Sequence, residues 1–311
     1  MEFVQNFGWF FLALAAMFFW SGSDLFSKIG CMGEKDRYAY LKMITAVGVV
    51  MGLHACYQIF VGGVTINGSV LLTYLPVSAL YIVSMAMGYL GLHYIELSVS
   101  SPICNSSGAI VAVLTAITVG IGSLNLYQKL AVVAVCFGVI GLGFVEAHED
   151  EELRRRRQEK GNRRYAKSAL ALALPILYCA LDAVGTFADN RVLETLDEDS
   201  ANVAYELTFL VCGLVSLFYV AVVRRQKFTI REETPKYIGA VFETAGQFAY
   251  IYAIADTEHL AMTAPMISAY CLLSVVWGRL FLKERLSYKH YIMIGLAAVG
   301  IAVLGLFDEA G

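Results

Sequence analysis

Charge is scarce in this 311-residue chain. Asp, Glu, Lys and Arg make up 16% of it, against roughly 25% in soluble domains. Hydrophobic residues reach 58%, and the mean hydropathy is +0.64. A soluble fold of this length has no interior large enough for so much apolar surface, which excludes a soluble enzyme. The same numbers exclude disorder, which needs low hydrophobicity and high charge. The formal charge is −3, so there is no basic excess to hold a phosphate backbone, and nucleic acid is excluded as a partner. Cys31, Cys56, Cys104, Cys136, Cys179, Cys212 and Cys271 are scattered singly. Without a C-x-x-C pair they point to no zinc site, redox centre or disulfide framework. The five histidines form no ligand motif, and the absence of a P-loop removes ATP as the expected energy source. No cofactor and no protein partner is implied.

What remains is an integral membrane protein, whose backbone must close its hydrogen bonds as helices or as a barrel. A barrel shows segments of about ten residues that alternate apolar and polar. This chain has long unbroken apolar runs instead. A helix needs about 20 such residues to cross the hydrocarbon. Ten spans are expected: 7–29, 39–61, 70–92, 99–121, 126–145, 168–188, 202–223, 235–254, 262–282 and 289–307. A charged linker, 146–167, contains Arg154, Arg155, Arg156 and Arg157 and divides the spans five and five.

Basic residues in short loops mark the cytoplasmic side. Of the 23 Lys and Arg, 21 fall in, or near the span ends flanking, the loops that join spans 1 and 2, 5 and 6, 7 and 8, or 9 and 10; only Lys129 and Arg191 fall on the other side. This bias predicts a multi-pass protein of the cell membrane with the linker in the cytoplasm and both termini outside. The acidic loop Glu194, Asp197, Glu198, Asp199 then faces outward. The N-terminus lacks a basic leader region and does not read as a cleaved signal.

The two halves share an ordered pattern. Trp20 stands four residues before Asp24 in span 1, and Tyr178 four before Asp182 in span 6. Ser101-Pro102 opens span 4 and Ala264-Pro265 opens span 9, each Pro read as lying in a first turn, where its missing N–H costs nothing. Gly138 and Gly143 of span 5 correspond to Gly300 and Gly305 of span 10. An odd number of spans per half sets the halves in opposite orientations, the usual architecture of secondary transporters. The expected fold is therefore all-α, with ten transmembrane helices as two inverted five-helix repeats, 1–145 and 168–311.

Phe19-Trp20-Ser-Gly-Ser-Asp24, the Ala253-Ile254 pair leading to Pro265, and Leu282-Lys-Glu284-Arg-Leu286 resemble the EamA type of the drug/metabolite transporter superfamily. The family's usual Gly-Glu pair stands here as Lys283-Glu284. Its counterpart in the first half is Gly122-Ser123, with no acid. The resemblance covers nearly the whole chain. It implies ten helices in two inverted halves, a central cavity, alternating access, and small metabolites or drugs as cargo. It does not name the substrate.

Ionisable groups inside spans are costly and functional by default. Asp24, Lys28 one turn on, and Lys42 at similar depth in span 2 suggest an ion pair that gates the cytoplasmic side. Asp182 and Glu206, at one depth in the second half with only Arg191 for a cation, suggest two coupled acids that carry a proton or a cation, a role open to Asp24 as well. The plainer reading of Glu206 is contact with outer water. Glu243 falls near the middle of span 8, with Gln247 one turn on and Tyr250 on the same broad face. It either lines a cavity or bonds to a neighbouring helix. Trp20, Tyr178, Tyr250, Tyr270 and Trp277 are placed for the cavity helices, and aromatic faces beside carboxylates suit a cation. Asn105, Ser106 and Ser107 form a polar cluster that donates to cargo or joins helices.

Two function classes compete. The first is a secondary transporter of a small organic solute, driven by protons or by the solute's own gradient, with cationic or zwitterionic cargo favoured and export of a neutral amino acid or metabolite as the alternative. The second is an intramembrane enzyme built on Asp24 and Asp182 as an acid dyad. Gly22-Ser23-Asp24 lacks the Gly-x-Gly-Asp arrangement of such proteases, which favours the transporter.

Overall fold

In the computed structural model, residues 8–32, 36–118, 125–148, 169–256, 259–284 and 287–306 are described, and among them every regular element is helical. The helices are α1 (Gly8–Cys31), α2 (Ala39–Phe60), α3 (Gly68–Tyr94), α4 (Leu97–Cys104), α5 (Ser107–Thr118), α6 (Leu126–Ala147), α7 (Ala169–Val192), α8 (Glu198–Phe218), α9 (Ile230–Ala255), α10 (Leu260–Ser268), α11 (Tyr270–Phe281) and α12 (Tyr288–Leu306). A π-helical turn, Tyr219–Val223, extends α8. Each expected span overlies one helix, except that spans 4 and 9 are each broken into two. Most of the linker with Arg154–Arg157, Lys35, the pair Gly122-Ser123, and Arg285 with Leu286 lie outside the described residues.

Among the described residues, six stretches are long and apolar enough to cross a membrane: Gly8–Cys31, Ala39–Phe60, Gly68–Tyr94, Ser100–Thr118, Glu198–Val223 and Leu260–Phe281. Large apolar side chains such as Phe60, Leu72, Ile117 and Phe218 stand exposed on the outer faces. They match a hydrocarbon surround rather than water. Polar caps stop two of the helices at their N-termini. The Asn67 side chain accepts from the Val70 N–H at 3.0 Å, and the Asp197 side chain from the Ser200 N–H at 2.8 Å. Each satisfies an orphan donor that would otherwise face the membrane boundary.

The breaks in spans 4 and 9 follow from their prolines. Pro102 is the sixth residue of α4 and Pro265 the sixth of α10. The expectation that each lies in a first turn is corrected, because both helices begin two residues earlier than predicted. In the second turn, proline removes a donor that an α-helix needs. The helices end shortly after, at Asn105 and Ala269. Asn105 partly compensates: its Nδ2 donates to the Ser101 carbonyl at 2.8 Å.

Helix pairing crosses between the two halves of the chain. α1 packs on α9, α2 on α8, α3 on α7, α5 on α10, and α6 on α12. Two of these seams are made by glycine against backbone. A Cβ at Gly48 of α2 would sit 2.6 Å from the Phe209 carbonyl oxygen and 2.9 Å from Gly213 Cα. One at Gly138 of α6 would meet the Met293 carbonyl at 2.8 Å, and one at Gly300 of α12 would meet the Ala131 carbonyl at the same distance. Without a hydrophobic force between helices in lipid, such close approach supplies the packing energy.

Gly48→Ala is expected to lower stability by about 1–3 kcal/mol, since backbone cannot move aside for the added methyl. Thermal unfolding in detergent checks this. Gly295→Ala, where a Cβ meets nothing within 4 Å, is expected to be neutral or slightly stabilising.

Candidate functional site

A cavity lies among α1, α3, α4, α5, α7, α8, α9, α10 and α11. Its position follows from the two broken helices. α5 and α10 cross so closely that a Cβ on Gly108 would lie 2.6 Å from the Ala264 carbonyl oxygen. Non-helical backbone at membrane depth is tolerated where it lines a cavity, and Asn105, Ser107, Ser268 and Tyr270, at or beside the breaks, all line this one.

Three carboxyl groups face the cavity: Asp24 from α1, Asp182 from α7 and Glu243 from the middle of α9. All three side chains are half-buried. Hydroxyls hold them. Ser101 and Ser274 donate to one oxygen of Asp24, at 2.6 and 2.7 Å. Ser107 donates to Asp182 at 2.7 Å, and Ser23 to Glu243 at 2.7 Å. Among the described residues, the other oxygens of Asp24 and Asp182 receive no hydrogen bond. The described lining contains no Lys, Arg or His. Gln247 Nε2, Tyr89 OH and Ser27 Oγ are buried in the wall without a hydrogen-bond partner among the described residues.

Aromatic rings complete the wall. The Trp20 ring lies 4.9 Å from that of Tyr250 and 5.8 Å from that of Tyr270, centroid to centroid. Tyr81 meets Tyr205 edge-on at 5.9 Å. Tyr178 packs over Gly88 of α3, where a side chain would collide with its ring. Such π-faces beside carboxylates attract an organic cation.

Ten of the sequence-predicted residues therefore come together: Trp20, Asp24, Asn105, Ser107, Tyr178, Asp182, Glu243, Gln247, Tyr250 and Tyr270. Ser106 is not in the lining, and its Oγ donates to the Pro102 carbonyl at 3.0 Å. Four others do not join them either. Trp277 packs on Phe281, and its Nε1 donates to Ser21 Oγ at 3.1 Å, outside the cavity lining. Lys28 is fully buried, and its Nζ reaches the carbonyls of Leu92 and Ile95 at the end of α3, where a cation meets the negative end of the helix dipole. Lys42 pairs with Asp36 at 2.8 Å and Glu233 at 3.1 Å. The expected ion pair between Asp24 and these lysines is thus corrected. Asp24 already has two hydroxyl donors, and each lysine has nearer oxygens. The second correction concerns Glu206. α8 turns it toward α2, where it meets His54 Nδ1 at 2.7 Å and Asn202 Nδ2 at 3.2 Å rather than Asp182.

Sequence reasoning missed Tyr81, Tyr89, Tyr205, Ser23, Ser101 and Thr186 of the lining. Ser98, Ser100 and Ser101 ahead of Pro102 were a signal for the serines: polar residues clustered beside a helix breaker. The tyrosines of α3 carried none, because nothing ionisable stands beside them in the sequence; Tyr205 of α8 does adjoin Glu206, but that acid is turned to His54.

The fold and site define a helical, multi-pass membrane protein with a polar, aromatic-lined cavity between its two halves. Residues 171–306 match the EamA-like transporter family, the drug/metabolite transporter type that the motifs resemble. That family is one of transporters. A solved structure titled only as the crystal structure of a protein superposes with a TM-score of 0.65 at 12% identity, covering 97% of this chain and 98% of that one. At that identity it speaks for the fold alone. No curated protein matches the chain.

The corrected pairing is measurable. A double-mutant cycle of Lys42→Met with Glu233→Gln is expected to show a coupling of about 1 kcal/mol or more, as for groups in contact. The cycle of Lys42→Met with Asp24→Asn is expected to be additive.

Proposed function

We propose that this protein is a secondary transporter that moves a small organic cation or zwitterion across the cell membrane by alternating access. The carrying observation is the cavity's chemistry: three carboxyl groups, a ring of Trp and Tyr, and no basic side chain among the described lining residues. Inside a low-dielectric wall, a cation near a carboxylate gains far more than it would in water. An anion would meet only like charge there.

The ten-span, inverted reading has its own support. Exchanging the two halves turns the α1–α9 contact into the α3–α7 contact and the α5–α10 contact into the α4–α11 contact, and it leaves the α2–α8 and α6–α12 pairs as they are. A two-fold axis in the membrane plane requires this pattern. The halves are 1–145 and 168–311, joined by the linker 146–167. The basic bias of the loops argues for a cytoplasmic linker and outside termini. Rocking of one half against the other opens the cavity to each side in turn. Glu243, near Asp24 and Asp182 and flanked by Gln247 and Tyr250, is the anchor for the cargo's positive group. A proton or the cargo's own gradient supplies the drive.

Thermal stability of the purified protein against amines, amino acids, nucleosides and organic anions tests this, since ligands stabilise what they bind. Cations are expected to raise the melting temperature. Glu243→Gln is expected to weaken cation binding roughly ten- to hundredfold, the loss of one charge-assisted contact. Stabilisation by anions, or equal stabilisation of both proteins, would overturn the assignment.

A further inference from the structure

Asp189 of α7 lies outside the cavity lining and is completely buried. No Lys, Arg or His pairs with it among the described residues. Its partners are two hydroxyls from α3. Tyr74 donates to Oδ1 at 2.6 Å, and Tyr81 reaches Oδ2 at 3.2 Å. Tyr205 of α8 and Tyr250 of α9 stand within electrostatic reach of it. Asp182, seven residues earlier on α7, lies toward the cavity. The next residue, Asn190, ties this part of α7 to α9 through the Ile254 carbonyl at 2.8 Å.

Tyr81 connects this acid to the cargo cavity. Its oxygen lies 2.5 Å from that of Tyr250 and 3.2 Å from Thr186 Oγ1, and all three residues line the cavity. Tyr81 therefore stands within reach of three acceptors, Asp189, Tyr250 and Thr186, and it has one proton to give. The protonation state of Asp189 decides which acceptor receives it.

We propose that Asp189 is a proton-binding site that exchanges its proton for a cation in the cavity, communicating through Tyr81 and Tyr250. This inference rests on the cation-transporter reading above and deepens it. With Asp189 ionised, Tyr81 donates to the carboxylate and Tyr250 donates to Tyr81. Tyr250 then offers only lone pairs to the cavity, which suits an ammonium or other cation. With Asp189 protonated, its O–H donates to Tyr81, Tyr81 donates to Tyr250, and the Tyr250 O–H turns to the cavity wall, where Thr186 Oγ1 lies 3.2 Å away. A cation is disfavoured against that face.

The exchange balances. The Asp189 proton passes to the Tyr81 oxygen, the Tyr81 proton to the Tyr250 oxygen, and the Tyr250 proton to water in the cavity. Both tyrosines end neutral, and one positive charge leaves as one enters. By linkage, cation binding and Asp189 protonation must oppose each other equally in both directions. The three cavity carboxyls meet the cargo directly, whereas Asp189 acts at a distance through a chain of hydroxyls.

The probe is tetraphenylphosphonium, a permanent cation with no titration of its own. Calorimetric titration in two buffers of different ionisation enthalpy reads the protons released per cation bound. Release is expected in the parent protein. It is expected to fall in Asp189→Asn, and also in Tyr81→Phe, which keeps the carboxyl but cuts the chain. Unchanged release in Asp189→Asn overturns the proposal and leaves the cavity carboxyls as the source. A second measurement needs no cargo. Infrared difference spectra between acidic and alkaline protein are expected to contain a protonated-carboxyl band that is lost in Asp189→Asn and displaced in Tyr74→Phe. If neither variant alters the band, Asp189 does not titrate and the proposal falls. No cation binding in any variant, with the band behaving as expected, refutes the cargo assignment and the exchange while leaving Asp189 as a proton site.

Discussion

A carboxyl group among apolar helices needs donors, and most of this structure is arranged around supplying them. Asp24, Asp182 and Glu243 each take a short hydrogen bond from a serine on another helix or, for Glu243, from α1. A lysine in those places would solvate the acids equally well, but it would cancel the charge and leave nothing for a guest. Hydroxyls stabilise the groups without neutralising them. The chain does use lysine for neutralisation elsewhere. Lys42 and Lys236 bracket Glu233 at 3.1 and 3.2 Å, away from the cavity. Charge cancellation and charge presentation are thus kept in separate regions of the molecule.

The broken helices serve the same end. Pro102 and Pro265 stop their helices beside the cavity. Each break exposes backbone and side-chain hydroxyls where an unbroken helix would present an apolar face. The start of α4 is secured by Glu284, whose carboxylate accepts from the N–H groups of Leu97 and Ser98 at 3.3 and 3.1 Å. The acidic residue of the family-like motif before α12 therefore has a plain structural task, holding the first turn of a short helix that supplies Ser101 to Asp24.

The positions of the helices were legible in the sequence because apolar length alone marks a span. Asp24, Asp182 and Glu243 were legible for the same reason in reverse, since each is an ionisable residue in an apolar run. Partnerships were not. Placing Asp24 with Lys28 and Lys42 rested on proximity along the chain and on depth. The contacts are set by which helices meet, and Lys42 meets the first turn of α9 while Asp24 meets α4 and α11. Glu206 shows the same limit: its depth suggested Asp182, but its helix face is turned to His54. The tyrosines of α3 and α8 were silent for another reason. A buried Tyr in a span reads as packing until the group it bonds to is known, and for Tyr81 that group is 108 residues away.

The seams at Gly48–Gly213 and Gly138–Gly300 have a mechanical consequence. Both join the first half of the chain to the second, and both bring backbone against backbone or a small side chain. Interlocked side chains behave like gear teeth: turning one helix against another means lifting each tooth out of its slot. A glycine seam is closer to two smooth shafts in contact. It resists separation, because the backbones are already at closest approach, yet it offers little resistance to rolling. A molecule hinged on such bearings can tilt one half over the other while its outline, and its seal against the lipid, stays almost constant.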